Sequence, residues 1–150
     1  MEKEVITIKG KIEQAYEWSA GLAGGIFLKE LRDRGRIMGT KCSKCNRVII
    51  PPRIFCERCF SRLDEWEVVG DTGTINCFTI SYVGINAERL KEPVICAVID
   101  LDGADGGLYH YLGEVDNPDE LKIGMRVKAV FKDKKDREGS ILDIKYFKPI

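Results

Sequence analysis

The sequence predicts a mainly β protein: short helices at the N-terminus, then a zinc ribbon of the rubredoxin-like kind, then a C-terminal barrel. Three observations carry that expectation. Cysteines stand in two Cys-x-x-C pairs, Cys42/Cys45 and Cys56/Cys59, ten residues apart. The hydrophobic spacing before them is roughly that of a helix. After them it changes to the alternation of half-buried strands. The corresponding division is a helical arm over 1–36, a ribbon over 37–62 and a barrel over 63–150.

In the arm, Ile12, Ala15, Tyr16, Leu22, Ala23, Ile26, Phe27 and Leu31 form the apolar stripe, which Gly21 and Gly24–Gly25 interrupt. Two helices follow, about 11–20 and 25–34, with Gly35 as C-terminal cap behind Arg32 and Arg34. The stripe needs a cover, which is either the rest of the chain or another subunit. Arg36 to Lys41 should run extended into the first cysteine pair.

Thiolates are soft ligands, and four of them suit tetrahedral zinc with no position left for a substrate. Cys42, Cys45, Cys56 and Cys59 are therefore expected to hold one structural Zn2+. Iron in a rubredoxin-like site, or two redox disulfides, would use the same residues. Val48, Ile49, Ile50, Ile54 and Phe55 are too few to make a core, so the segment needs the metal as a staple. Pro51 and Pro52 exclude helix there. Lys41, Lys44, Arg47, Arg53, Arg58 and Arg62 make the knuckles basic, either to offset the negative thiolate site or to meet phosphates.

Beyond Cys59 the expected strands are Glu65–Val69, Thr74–Val83, Val94–Leu101, Leu108–Leu112, Val127–Phe131 and Ile141–Phe147. Turns fall at Asp71–Gly73 and Asp102–Gly107, and a basic hairpin at Lys132–Gly139. So many short strands in so few residues suit a closed barrel, which leaves no exposed edge. The OB fold is the first choice and an SH3-like barrel the second.

Composition narrows the function. The chain has 150 residues, 24 basic and 24 acidic, for a formal charge of zero, with 44% hydrophobic residues. This is globular composition. No apolar run is long enough to span a bilayer, and the start MEKEVITIKGK lacks a secretory h-region, so a cytoplasmic setting with reduced thiols is expected. The charge is segregated: residues 41–62 carry 6 basic and 1 acidic side chains, residues 63–125 carry 3 and 13. An acidic barrel disfavours non-specific nucleic-acid binding, which needs a broad positive footprint. His110 alternates within LYHYL with no sequence-evident partner and is read as a sheet residue. Cys77 and Cys96 read as buried strand thiols, and Asp102, Asp105, Asp116 and Asp119 as a solvated rim. There is no P-loop and no dinucleotide fingerprint. No catalytic set emerges. The rival function is single-stranded nucleic-acid binding, with Phe78, Tyr82, Tyr109 and Tyr111 as stacking rings and the Lys132–Arg137 hairpin as a finger.

LKELRDRGRIMGTKC, CSKCNRVIIPPRIFCERC, DEWEVVGDTGTINCFT, LYHYLGEVD and LKIGMRVKAVF together resemble the archaeal and bacterial family of OB-fold acyl-CoA-associated proteins with a rubredoxin-like zinc ribbon. The resemblance covers almost the whole chain, and the four cysteines, Pro51–Arg53 and Gly73–Thr74 are its most specific marks. It implies that the four cysteines are zinc ligands. It also implies a non-catalytic subunit bridging acetoacetyl-CoA thiolase and hydroxymethylglutaryl-CoA synthase in the mevalonate route to isoprenoids, with CoA close by. Other members are paired with CoA-ester hydratases or sterol side-chain thiolases. One departure from the pattern is Asn46, where glycine is common; asparagine also tolerates left-handed backbone.

Overall fold

The computed structural model describes residues 6–11 and 13–150. One helix, α1 (Gly21–Arg34), precedes a three-stranded sheet of order β2-β1-β3, formed by β1 (Ile37–Cys42), β2 (Arg47–Ile49) and β3 (Glu65–Val69). Five further strands follow: β4 (Thr72–Val83), β5 (Arg89–Leu101), β6 (Gly107–Leu112), β7 (Arg126–Phe131) and β8 (Ile144–Pro149). They lie in the order β4-β5-β6-β8-β7, and β7 returns to pair with β4.

Two expectations about the fold class are corrected. The helix over 11–20 does not form: residues 11 and 13–20 are irregular, and Ile12 lies outside the described residues. Gly21 has φ 66°, a left-handed conformation that a helix cannot pass through, so α1 begins there. The second correction concerns the barrel: its five strands return on themselves, but one of the seams has almost no ladder. β6 and β8 share a single parallel pair, Leu112 with Phe147. The physical reason is local. Ile141–Asp143, expected to open the last strand, is a 3-10 turn held by a capping box between Ser140 and Asp143. Strand pairing therefore starts only at Ile144, and the C-terminal unit is a curled sheet with one nearly open seam.

The helix ends as its sequence indicates. Gly35 has φ 60°, and its N–H reaches back to the Leu31 carbonyl at 3.0 Å. A side chain there would also meet the Arg137 guanidinium, which covers this helix end. Gly73 answers a different demand, because a Cβ would collide with the Asp100 carbonyl on β5.

The apolar stripe of α1 is covered by its own chain. Phe27 and Leu31 are buried in one cluster with Ile37 of β1, Val69 of β3 and Ile75, Ile99, Val127, Ile144 and Phe147 of the curled sheet. A smaller cluster, Cys42, Ile49, Cys56 and Leu63, fills the ribbon. Strand β1 joins the two, with Ile37 in the large core and Cys42 in the small one. The loop between β5 and β6 adds a second tie. The Asp105 N–H donates to the Val48 carbonyl at 2.6 Å, the Val48 N–H donates to the Asp105 carboxylate at 3.0 Å, and Arg47 pairs with the same carboxylate at 3.6 Å.

Asp143 is fully buried, and its carboxylate accepts from the N–H groups of Glu138, Gly139 and Ser140. Burial alone would raise its pKa; the three donors and the nearby Lys132 ammonium prevail and hold it below the ordinary value. The group therefore stabilises the fold above its unfolded pKa of about 3.9 and loses that contribution as pH falls further.

Two outcomes are expected in denaturant titrations. Leu31→Ala, at a site with no solvent exposure, should cost about 2–5 kcal/mol. Asp143→Asn, which turns a donor toward the backbone N–H groups, should cost about 1–3 kcal/mol at neutral pH and flatten the acid limb of the stability curve.

Candidate metal centre and docking surfaces

Two backbone turns carry the four cysteines. Cys42 ends β1 and Cys45 lies in the turn before β2, where Asn46 takes the left-handed conformation at φ 51°. Cys56 and Cys59 sit in a second turn, closed by the Phe60 N–H donating to the Cys56 carbonyl at 2.9 Å and by Phe60 at φ 57°. The pair Phe55 and Arg62 bridges the base of this turn. Thr40, fully buried, accepts the Arg53 N–H at 3.0 Å and so fixes the chain leaving Pro51–Pro52.

The ligand atoms of all four cysteines lie within 4.8 Å of one another. Cys42 Sγ is 3.5 Å from Cys59 Sγ, and Cys56 Sγ is 3.9 Å from Cys45 Sγ. Tetrahedral zinc with Zn–S bonds of about 2.3 Å requires sulfur separations of about 3.8 Å. The donor set and its spacing fit a single structural Zn2+, and all six cysteines are free of disulfides. The proton chemistry points the same way. The Ser61 hydroxyl lies 2.8 Å from Cys59 Sγ and 3.5 Å from Cys42 Sγ, and it holds both thiols below their ordinary pKa, Cys59 at about 6. The Cys45 thiol, facing the sulfurs of Cys59, Cys42 and Cys56, is pushed up to about 12. Four thiolates repel one another, and a divalent cation replaces the protons they would otherwise keep. Ser61 went unremarked in the sequence, although its place two residues after the last cysteine was a usable signal.

Of the ribbon's six basic residues, Lys44, Arg58 and Arg62 are exposed and the other three are paired. Lys41 pairs with Glu67, Arg47 with Glu57 and Asp105, and Arg53 with Glu57. Two surfaces among the described residues stand out as mainly apolar or uncharged. Between α1 and the ribbon lies an apolar groove of about 290 Å³, lined by Leu22, Ile26, Ile54, Phe55, Leu63 and Trp66, with Arg62 and Asp64 at its margin. The second surface is the outer face of β4, β5 and β6. The registers place Cys77 opposite Val98, Thr79 opposite Cys96 and Ser81 opposite Val94, with Tyr111 and Tyr109 continuing the rows on β6. None of these eight side chains is charged, and Tyr109 is 64% exposed.

The remaining candidates separate. Cys77 is exposed, contrary to expectation, because the bulge between Ile75 and Cys77 turns it to the outer face; Cys96 is buried. Phe78 packs on the core, whereas Tyr82, Tyr109 and Tyr111 are exposed. The Lys132–Arg137 hairpin is not a free finger. Arg137 donates to the Lys132 carbonyl at 2.8 Å and lies over the Phe131 ring, and the hairpin packs against α1. Asp102 is not a bare rim residue either. The Arg126 guanidinium grips it at 2.7 and 2.5 Å and, with the Thr72 hydroxyl, holds its carboxyl well below the usual carboxylate range. Asp105 docks the ribbon, while Asp116 and Asp119 remain near the turn before β7.

His110 is 4% exposed on β6. Its Nδ1 accepts the Tyr111 N–H at 2.8 Å, and its Nε2 lies 3.2 Å from the Ile141 carbonyl. Burial pushes its pKa down, against the opposing pull of these two backbone bonds. No cysteine or carboxylate bonds to the ring among the described residues. Among those residues, too, no helix is long and apolar enough to cross a membrane.

Known proteins share this arrangement. Residues 29–67 match the ChsH2 rubredoxin-like zinc ribbon domain, and residues 66–132 the ChsH2 C-terminal OB-fold domain. A DUF35 domain-containing scaffold protein of Methanocaldococcus jannaschii is 29% identical over 128 residues, covering 81% of this chain and 87% of that protein. Its counterpart in Methanothermobacter thermautotrophicus is 26% identical over 125 residues, covering 81% and 92%. A DUF35-family crystal structure from Sulfolobus solfataricus superposes with TM-score 0.65 at 26% identity, over 86% of this chain and 84% of that one. A chain of the Ltp2-ChsH2(DUF35) aldolase shares the fold, with TM-score 0.59 at 21% identity over 83% and 93%. With both modules matched in order and the four thiols gathered at one point, the chain belongs to the ChsH2/DUF35 family of zinc-ribbon and OB-fold proteins.

Proposed function

We propose that this protein is a non-catalytic scaffold subunit of an acyl-CoA enzyme complex, with Cys42, Cys45, Cys56 and Cys59 as the ligands of one structural zinc. The observation that carries the reading is the pair of open surfaces on one tied body. The apolar groove lies beside the ribbon, and the uncharged face lies on the curled sheet. Between them run the shared core and the Asp105–Val48 bonds. A body with two separate faces suits a bridge, and an interface centre depleted of charge and carrying tyrosine is what protein docking favours. The relatives named as scaffold proteins support the same general role.

The specific partners follow from the family resemblance. They are acetoacetyl-CoA thiolase and hydroxymethylglutaryl-CoA synthase, with the basic ribbon near the phosphates of CoA. Thiolase condensation is thermodynamically uphill, so passing acetoacetyl-CoA directly to the next enzyme would draw it forward. The division into arm, ribbon and OB-fold unit belongs to the same proposal.

Metal analysis should find one zinc per chain in the wild type and much less in Cys56→Ser, whereas Cys77→Ser should keep its zinc. Iron in place of zinc would overturn the metal assignment. Affinity capture from native extract after nuclease treatment should recover a thiolase and hydroxymethylglutaryl-CoA synthase. Ile54→Glu in the groove and Tyr109→Glu on the sheet face should each release one enzyme and retain the other, with zinc content unchanged. Recovery of nucleic-acid proteins alone would sink the bridge.

A further inference from the structure

The seam between β6 and β8 has little ladder to hold it. Beyond the single pair of Leu112 with Phe147 comes the Gly113 N–H to the Phe147 carbonyl at 2.9 Å. At His110, β6 meets the Ile141–Asp143 turn instead of a strand. The one imidazole of the chain stands at this place, and it spans the gap. Nδ1 takes the N–H of Tyr111 on β6, and Nε2 meets the carbonyl of Ile141 in the turn. The ring is also wedged edge-on against Phe147 of β8, with centroids 5.8 Å apart.

The protonation state follows from the partners. A carbonyl can only accept, so Nε2 carries the hydrogen. A backbone N–H can only donate, so Nδ1 carries none. Both bonds exist together only in the neutral Nε2–H tautomer. A second proton at Nδ1 would set two donors head to head at 2.8 Å and enclose a cation in a buried site.

The surroundings give that cation no counter-charge. Ala97 of β5 lies opposite His110 in register, and β8 presents Phe147. Tyr109 and Tyr111 flank it on β6, and Ile141 and Leu142 complete a crevice of about 170 Å³ around it. Asp143 is the acid of that turn. Its oxygens are taken by the three backbone N–H groups and approached by Lys132 at 3.9 Å. Arg137, from the neighbouring hairpin, is turned to the Lys132 carbonyl and the end of α1 at Gly35.

We propose that His110 is a proton-sensitive latch: its neutral imidazole stitches β6 to the Ile141 turn, and protonation releases the seam. Because α1 packs against this same turn, release also loosens the helix whose Leu22 and Ile26 line the apolar groove. The latch thus couples proton uptake to the groove between α1 and the ribbon.

The test uses the full zinc-loaded chain. With one histidine, nitrogen-resolved NMR reads a single imidazole without ambiguity. At neutral pH it should be the Nε2–H tautomer, and it should protonate only below the ordinary imidazole pKa. At lower pH, its protonation should coincide with faster amide exchange at Tyr111 and at residues 141–144, while the ribbon amides keep their protection.

Because the fold favours the neutral ring, its contribution is complete above the unfolded pKa of about 6.5 and is lost as pH falls below it. Between pH 7.5 and 5.5 the unfolding equilibrium constant of the wild type should rise, with about tenfold as the upper limit. This window lies above the carboxylate range. His110→Gln, which keeps a donor and an acceptor but does not titrate, should be flat across it. If that variant fails to fold, the wild-type NMR and exchange data decide alone. An imidazole titrating near its ordinary pKa with no change in Tyr111 exchange would overturn the proposal, as would a neutral ring in the Nδ1–H form.

Discussion

Four cysteine sulfurs confined within 4.8 Å are a constraint the rest of the ribbon depends on. As thiolates they repel, and as thiols they offer only weak hydrogen bonds, so the cluster needs a divalent cation to hold its two turns together. What the cation fixes does not stay local. Cys42 is the last residue of β1, and Ile37 at the other end of that strand is buried beneath α1 and the curled sheet. A six-residue strand therefore transmits the geometry of the metal centre to the main core. The second tie, from Asp105 to Val48 and Arg47, prevents the ribbon from turning about β1.

The segregated charges acquire a different meaning once the chain is folded. A basic ribbon and an acidic central segment suggest two surfaces of opposite sign for two partners. In the structure many of them meet each other: Arg47 reaches Asp105, Lys41 reaches Glu67, Arg126 grips Asp102, and Lys148 reaches Glu114. Each exposed pair contributes little to stability on its own. Arg47–Asp105 aligns the ribbon with the loop between β5 and β6, while the others lie within one sheet or the other and leave fewer basic side chains free. That outcome suits protein docking better than a phosphate-tracking groove, which requires unpaired basic side chains along a continuous path.

His110 shows how a residue without catalytic partners can still matter. Its two nitrogens replace ladder bonds that a six-residue strand cannot make with a neighbour that begins as a 3-10 turn. The ring is placed by packing against Phe147 and by two backbone groups, one from the adjacent Tyr111 and one from Ile141, 31 residues away. The same seam separates the expected closed barrel from the observed sheet, so the departure from the ideal architecture and the least conventional side chain occupy one location.

By itself the sequence determined whatever depends on short-range chemistry. The two Cys-x-x-C turns announced the metal centre, because ligand spacing is a local property. Gly35 announced the end of α1, since only glycine accepts that φ cheaply. Strand alternation announced β3 to β7, with Glu65–Val69 found at its expected limits. The apolar stripe, by contrast, was consistent with two helices and with two covers. Only tertiary packing decided that α1 alone forms and that Phe27 and Leu31 lie under their own chain's sheet. The exposure of Cys77, the contact of the basic hairpin with α1 and the nearly open seam were likewise settled in three dimensions. Each depends on which distant segment arrives opposite: β5 across a bulge, α1 across a hairpin, and a 3-10 turn where a strand was expected. No periodicity in one segment can encode the shape of its neighbour.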